Sequence, residues 1–298
     1  MRFLSCVLCL TISTVAFAQS PDAQQKADTI AYIKKLQDPK TGAFKVTADA
    51  PPSLRACNGA VKALHTLCVE DIPEQEKVVA FVLSCYDPKA GAFAEPGGKP
   101  DVTITSIGVM VAMELGIAKE KIAKAMAYLE MYKKGFEEER ISAAAIEAWG
   151  IESIDSFQLG LMTMSARLEL KNAESSKDDL GRLSGSVLAM RLRLGDKIAP
   201  KDLKEHVEII TANQRPDGGW GKLNEKTSDL DSTYRVMRAF WLMKQKPANF
   251  EKVKVFVEKC RNKDGGAAVK PGEPSTMSGV YYTTIISMWI EELEKLPA

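Results

Sequence analysis

The sequence has few histidines and no excess of charge of either sign. Its 298 residues include two histidines, His65 and His206, and its 40 basic and 39 acidic residues leave a formal net charge of +1. Proteins that bind nucleic acids usually carry a basic excess that neutralises phosphates. The charge balance therefore argues against a nucleic-acid partner.

The motifs of several common catalytic chemistries are also missing. The sequence contains no G-x-S-x-G nucleophile elbow, no H-E-x-x-H metal motif and no phosphate-binding P-loop. None of its cysteines forms a C-x-x-C pair, so the cysteine spacing does not favour a structural zinc knuckle.

The first eighteen residues have the pattern of a secretory signal peptide. Arg2 supplies a positive charge, residues 3–15 are apolar, and Ala16-Phe17-Ala18 has the small-residue cleavage pattern that would leave Gln19 first. No later run approaches the ~20 apolar residues that span a bilayer. We expect an exported protein, periplasmic or extracellular, without a transmembrane segment after cleavage; a retained N-terminal anchor is the alternative.

Four cysteines remain beyond that segment: Cys57, Cys68, Cys85 and Cys260. Export permits disulfides, and four cysteines allow three complete pairings among which the sequence does not choose. Free buried thiols are equally compatible, because a chain of this length does not need a covalent staple.

Two internal repeats are the main organisational signal. The pattern D-P-K-x-G-A-F occurs at residues 38–44 and 87–93, with a period of 49, and a glycine pair occurs at 218–219 and 265–266, with a period of 47. An amphipathic segment precedes each turn, and a polar loop and a second apolar segment follow it. A single helix–turn–helix unit cannot bury its apolar faces alone, so neighbouring units must stack.

This organisation predicts about six helix pairs in a single all-α domain over residues 19–298. The middle, residues 118–202, is less regular, and no strand pattern stands out. The predicted pairs are 27–36 with 53–67, 76–85 with 101–115, 121–132 with 141–149, 156–168 with 180–194, 203–212 with 229–243, and 250–260 with 276–290.

A motif in the fifth pair carries a family resemblance. Gln214, Gly218 and Trp220 form a Q-x-x-x-G-x-W pattern at a helix end. This pattern resembles the prenyltransferase and squalene-oxidase repeat, and the resemblance covers residues 27–296. It implies a single (α/α)6 toroid, in which six inner helices form a barrel and six outer helices surround it.

Within that family the chain looks like the β subunit of type II geranylgeranyl transferase, which carries a G-G-x5-E-K-x2-D-x-C run. Gly218-Gly219, Glu225-Lys226 and Asp229 stand here at the same spacing. The resemblance implies that Lys226 contacts an isoprenoid diphosphate and that Asp229 is a zinc ligand.

The same comparison shows where the sequence departs from the family. The cysteine position holds Asp231, and the position of the third zinc ligand, a histidine, aligns near Gly279. Protein prenylation needs zinc to form a substrate thiolate, and a pair of carboxylates without sulfur or imidazole is a poor zinc site. Zinc is possible but not favoured, and we do not expect zinc-dependent protein prenylation.

A second resemblance competes with the first. Asp229-Leu230-Asp231-Ser232-Thr233 is similar to the D-x-D-D-T signature of class II terpene cyclases, in which the middle aspartate protonates an alkene. Asp231 would be that acid, although the third aspartate is Ser232. Those cyclases use two barrels, whereas this chain has material for one. The proton donor must also be neutral. An ion pair with Arg235, one turn further along the helix, would instead keep Asp231 ionised.

Four further residues are candidates for ligand binding. Arg235 and Arg238 lie on a predicted inner helix, where charge is rare unless the helix faces a wet cavity or an anion. Tyr281 and Tyr282 place hydroxyl groups on another inner helix. The sequence thus predicts a diverged prenyltransferase-like protein that binds an apolar or isoprenoid ligand or a protein partner. The alternatives are an active transferase on isoprenoid diphosphates and a cyclase-like enzyme.

Overall fold

The computed structural model describes residues 21–153, 156–176 and 179–297. Within these residues, twelve α-helices alternate between an outer and an inner ring. The outer helices are α1 (Pro21–Lys35), α3 (Gln75–Ser84), α5 (Ala125–Tyr132), α7 (Ser156–Ser176), α9 (Pro200–Ala212) and α11 (Phe250–Lys259). The inner helices are α2 (Leu54–Thr66), α4 (Val102–Glu114), α6 (Phe136–Trp149), α8 (Leu180–Arg193), α10 (Leu230–Met243) and α12 (Met277–Glu294).

The inner helices form a closed ring. Each contacts the next in the order α2, α4, α6, α8, α10 and α12, and α12 returns to α2. The outer helices pack against this ring, as α9 does against α8 and α11 against α12. This architecture is the predicted (α/α)6 toroid, and the prediction of an all-α fold is confirmed.

Side-chain caps start most of the inner helices. The side chains of Ser53, Asp101, Asp179, Asp229 and Thr276 each accept a hydrogen bond from the backbone N–H three residues on. Such a cap satisfies one of the N–H groups that a helix start leaves without a partner. The helix α6 starts instead after Gly135, at a φ of +79°, with Glu137, Glu138 and Glu139 in its first turn.

Several local features differ from the predicted pattern, among them the start of α1 at Pro21 rather than 27 and of α5 at Ala125 rather than 121. The helix α6 begins at Phe136 rather than 141, and α7 continues to Ser176 rather than 168. A short antiparallel ladder also joins β1 (Tyr86–Asp87) to β2 (Ala92–Phe93) across the second repeat turn. Two-residue strands are too short to show a period in the sequence.

The hydrophobic core lies around the inner helices. Trp220 is buried, and its indole N–H donates to the Ile210 carbonyl over 2.9 Å, which ties the turn after α9 back to that helix. Cys57, Cys85 and Cys260 are buried free thiols and Cys68 is an exposed one. Of the helices described, none combines the length and apolar character needed to cross a membrane.

Candidate ligand-binding site

A cavity of about 410 Å³ lies inside the inner ring. All six inner helices contribute side chains to its wall. Among the described residues that line it, six are basic and three are acidic: Arg55, Lys62, Arg140, Arg193, Arg235 and Arg238 against Glu114, Glu147 and Asp231. The other lining side chains are neutral or apolar, and they include Tyr234, Tyr281, Tyr282, Ile107, Met110, Ile141 and Met277.

Helical spacing explains why α10 contributes four lining residues. Asp231, Tyr234, Arg235 and Arg238 stand at positions i, i+3, i+4 and i+7, which share one face of a helix. Because the opposite face packs on the core through residues such as Val236 and Phe240, this charged face turns towards the cavity.

Asp231 is enclosed by donors. Its Oδ2 lies 3.2 Å from Arg182 Nη2 and 3.3 Å from Arg235 Nη2, and the Tyr282 hydroxyl donates to its Oδ1 over 3.1 Å. Burial would raise the pKa of Asp231, but Arg235, Arg182 and Arg140 outweigh burial and hold that pKa well below its ordinary value.

The same group of charges extends to α6. Arg235 Nη1 lies 2.8 Å from Glu137 Oε1, and Arg140 Nη2 lies 3.1 Å from Glu137 Oε2. Burial opposes ionisation of Glu137, yet Arg140 and Arg235 lower its pKa to about 2. We call these residues the Asp231 network: Glu137, Arg140, Arg182, Asp231, Arg235 and Tyr282.

An ionised Asp231 is at odds with the hypothesis that it is a catalytic acid. Proton donation to an alkene needs a carboxyl group that is kept neutral by its surroundings. Here two guanidinium contacts stabilise the carboxylate instead. In this geometry Asp231 is an ion-pair partner of Arg182 and Arg235, which favours its carboxylate form.

A second group of charges surrounds Tyr234. Arg238 Nη1 donates to the Tyr234 hydroxyl over 3.0 Å, and the hydroxyl groups of Tyr234 and Tyr281 are 2.7 Å apart. Arg238 Nη2 and Arg193 Nε lie 2.9 Å and 3.0 Å from one oxygen of Glu147.

Lys62 completes this group. Its Nζ lies 3.7 Å from Glu114 Oε1. Burial raises the pKa of the Tyr234 phenol, but Arg238, Arg193 and Lys62 more than offset burial, so this pKa lies below its usual value. We call these residues the Tyr234 network: Lys62, Glu114, Glu147, Arg193, Tyr234, Arg238 and Tyr281.

The residues that the family resemblance assigned to zinc and diphosphate do not form one site. Asp229 is buried, and its two oxygens accept from the backbone N–H and the hydroxyl of Ser232 over 2.7 and 3.0 Å. Lys226 is exposed and is absent from the cavity wall. A Cβ at Gly279 would come within 2.1 Å of the Ala267 carbonyl oxygen, so this position has no room for a histidine.

The donor set therefore does not fit zinc. Asp229 acts as a helix cap, Asp231 is paired with arginines, and no group of three His, Cys, Asp or Glu side chains within the described ranges is placed to hold a metal ion. The cavity wall offers guanidinium and ammonium groups, which can bind an anion, and tyrosine hydroxyls, which can form further hydrogen bonds.

Four candidate ligand-binding residues named from the sequence, all on α10 and α12, line this cavity, and the lining residues on the other helices were not named. Arg235, Arg238, Tyr281 and Tyr282 line the cavity as expected. The missed charged residues come from other helix pairs and belong to no motif: Arg55, Lys62, Glu114, Arg140, Glu147 and Arg193. A faint signal was present, because Arg55 and Lys62 are seven residues apart on one predicted inner helix.

The sequence matches the model of the prenyltransferase α/α-toroid domain over residues 2–146 and 177–296. The chain belongs to this family. The segment between the two matched parts contains α7, which lies in the less regular middle of the chain. No curated protein matches the sequence.

Several solved toroid structures resemble this member of the prenyltransferase toroid family. The type II terpene cyclase MstE from Scytonema is 11% identical with a TM-score of 0.62, and the match covers 92% of this chain and 98% of that chain. A variant of that cyclase with its substrate, geranylgeranyl dihydroxybenzoate, is 12% identical with a TM-score of 0.60, and covers 92% and 97%. A GH76 α-mannanase from Bacteroides thetaiotaomicron is 11% identical with a TM-score of 0.64, and covers 93% and 97%.

These similarities concern the fold, because the identities are so low. They also correct one argument from the sequence. The expectation that such a cyclase needs two barrels, and therefore a longer chain than this one, is wrong. The match covers 98% of a solved type II terpene cyclase chain. The length of the chain therefore does not exclude the cyclase hypothesis, whereas the ion pairs of Asp231 favour its carboxylate form.

Proposed function

We propose that this protein binds an anionic ligand with an apolar portion, of the isoprenoid phosphate or diphosphate class, in its central cavity without zinc. The observation that carries the proposal is the convergence of six basic and three acidic side chains on one cavity between the inner helices. Buried charge is costly unless it is paired, so an excess of cations around a cavity favours an anion as its occupant.

The cavity also offers contacts for an apolar portion. Ile107, Met110, Ile141 and Met277 share its wall with the rings of Tyr234, Tyr281 and Tyr282. Its volume of about 410 Å³ falls within the range of roughly 300–1,000 Å³ that is typical of small-molecule sites. A cavity of this size can hold a ligand whose apolar chain is short or of medium length.

Extraction of the native protein tests this proposal without a choice of ligand. The protein is purified from its source, extracted with organic solvent, and the extract is analysed by mass spectrometry in negative-ion mode. We expect one class of acidic amphiphile in stoichiometric amount. An extract with neutral lipids alone would contradict the proposal.

Independence from zinc has its own test. Because Asp229 and Asp231 are engaged as a cap and as an ion-pair partner, we expect purified protein to hold no stoichiometric zinc. A chelator should leave the melting temperature and ligand affinity unchanged. Elemental analysis that finds one zinc per chain, removable with loss of ligand affinity, would overturn this part of the proposal.

A transferase activity on isoprenoid diphosphates is the second candidate function. The observation that favours it is the set of guanidinium groups in the cavity, which would stabilise a departing diphosphate. In such a transfer the carbon–oxygen bond to the diphosphate breaks and the isoprenyl carbon bonds to an acceptor nucleophile. The protein is therefore incubated with farnesyl diphosphate and a thiol or alcohol acceptor, and both released inorganic diphosphate and prenylated acceptor are measured. Release no faster than in buffer would leave ligand binding as the function.

We also propose that the protein is exported, on the signal-peptide pattern of residues 1–18. Intact mass or N-terminal sequencing of protein from the extracytoplasmic fraction should show Gln19 first. Retention of Met1 on protein in the cytoplasm would contradict this. A protein partner stays a prediction, and co-purification from that fraction is its test.

A further inference from the structure

The two charge networks of the cavity differ in how completely their cations are paired. In the Asp231 network, both carboxylates use both oxygens as acceptors, and each of the three guanidiniums makes an ion pair of 3.3 Å or shorter. The Nε atom of Arg182 lacks an acceptor, but Arg182 does not line the cavity.

The Tyr234 network is less well paired. Arg193 and Arg238 approach the same single oxygen of Glu147, and Arg193 does so without hydrogen-bond geometry. The Nε atoms of both guanidiniums are buried and have no hydrogen-bond partner among the residues that the structure describes. A buried donor without an acceptor is costly, so both atoms favour an additional acceptor nearby.

Lys62 adds a third cation that is incompletely paired. Its ammonium lies 3.7 Å from Glu114, a carboxylate that also contacts His65, and its hydrogen bond goes to the weak acceptor Met110 Sδ at 3.8 Å. Lys62, Arg193 and Arg238 come from three different inner helices and all line the cavity.

The pKa values of these three cations shift in different directions. Burial opposes the charge of Arg238, but Tyr234 and Glu147 outweigh burial and raise its pKa. Burial, followed by the charge of the neighbouring Arg238, lowers the pKa of Arg193 to about 10. Burial also lowers the pKa of Lys62. The partial negative charge at the C-terminal ends of inner helices helps to hold cations there, but it supplies no acceptor to the two Nε atoms.

We propose that Lys62, Arg193 and Arg238 form the anion subsite of the cavity, where the phosphate or diphosphate headgroup of the ligand binds beside the Tyr234 hydroxyl. The subsite rests on the proposed function, since it names where in the cavity the acidic group lies. It is distinct from the Asp231 end, where the carboxylates already occupy the guanidiniums.

A pair of variants on α2 tests this placement. Arg55 and Lys62 both line the cavity and stand seven residues apart on the same helix face, so Arg55→Met is a matched control for Lys62→Met. The full-length protein is titrated calorimetrically with farnesyl phosphate, dodecanoate and inorganic phosphate. The first two probes distinguish a phosphate from a carboxylate headgroup, and the third measures the headgroup alone.

We expect Lys62→Met to weaken binding of the preferred acidic probe by about tenfold or more, and Lys62→Arg to restore most of it. Arg55→Met, which removes a cavity cation outside the proposed subsite, should weaken binding by a smaller factor than Lys62→Met. Because Lys62→Met relieves repulsion between cations, the melting temperature of the ligand-free variant should be no lower than that of the unaltered protein.

Each other outcome decides against the subsite. Greater loss with Arg55→Met than with Lys62→Met would place the headgroup at the other end, and would overturn the subsite while the proposed function stands. Failure of the unaltered protein to bind any acidic probe would contradict both the subsite and the proposed function. If Lys62→Met does not fold, Lys62→Gln is measured in its place and the same criteria apply.

Discussion

Asp231 illustrates how neighbours decide what a single carboxylate does. Its oxygens face Arg182, Arg235 and Tyr282, so an amide at this position would remove the carboxylate partner of Arg182 and one of the two carboxylate partners of Arg235. We expect Asp231→Asn to lower the free energy of unfolding by about 2 kcal/mol, less than for a fully buried pair because the side chain is 26% exposed.

Urea unfolding at pH 7 measures this effect. The exposed Asp49 provides the control, since Asp49→Asn should change stability by no more than about 0.5 kcal/mol. Equal stability of Asp231→Asn and the unaltered protein would show that these ion pairs contribute nothing to folding.

His206 gives a pH dependence that can be worked out by sign. It is buried, its Nδ1 lies 2.9 Å from the Ser184 hydroxyl, and burial, followed by the charge of Arg191, lowers its pKa from 6.5 to about 4. The unfolded chain therefore takes up this proton first as the pH falls. Stability is lost between about pH 6.5 and pH 4, by up to roughly 3 kcal/mol.

The variant His206→Gln isolates this contribution. Its free energy of unfolding should fall less between pH 7 and pH 4.5 than that of the unaltered protein. Identical slopes over this interval would mean that His206 is equally easy to protonate in the folded and unfolded states.

At the residue scale, the sequence pointed to some of the residues that line the cavity, whereas others reach the cavity only through the closure of the ring. Arg235, Arg238, Tyr281 and Tyr282 stood in the best-preserved repeats, so the sequence pointed to them. Lys62 and Arg193 are near Tyr234 only because the ring closes, and no local pattern carries that information. The ionised state of Asp231 was foreseen from Arg235 alone, whereas Arg182 and Tyr282 lie about fifty residues away.

The start of α12 shows a constraint at the scale of the element. Thr276 caps this helix, and its third residue, Gly279, lies against the backbone of Ala267 and Ala268. We expect Gly279→Ala to destabilise the protein by about 1–3 kcal/mol or more, because the methyl group would overlap the Ala267 carbonyl.

A second helical glycine is the control for this substitution. Gly160 on α7 is exposed and has no atom within 4 Å of a Cβ, so Gly160→Ala should stabilise the protein by up to about 1 kcal/mol. Thermal unfolding of both variants gives the comparison. If Gly279→Ala proved as stable as Gly160→Ala, the close approach of α12 to that backbone would be wrong.

The periodicity of the sequence predicted the helices and left some of their ends uncertain. Caps such as Asp101 and Asp229 mark helix starts by residue type, and there the predicted starts agree within a residue or so. The helix α6 lacks a side-chain cap, and its first turn is acidic and not apolar, so the apolar pattern began late. The helix α7 runs on through a polar stretch whose pattern gave no reason to continue.

At the scale of the whole molecule, the site exists only because the toroid closes. Its walls come from α2 through α12, so each of the six helix pairs contributes to one cavity. A family model and toroid structures of low identity agree on this fold, while the chemistry of the cavity depends on this chain's own charges. The fold was therefore predictable from a repeat, and the ligand class depends on side chains that the repeat does not specify.

The central claim is that the cavity selects an anionic head joined to an apolar chain. The most direct test is calorimetric titration of the full-length protein with farnesyl diphosphate, farnesol and inorganic diphosphate at low and high salt. We predict that farnesyl diphosphate binds at least about tenfold more tightly than either fragment, and that its advantage over farnesol shrinks as salt screens the cations. Equal or tighter binding of farnesol, or no binding of farnesyl diphosphate, would contradict the claim.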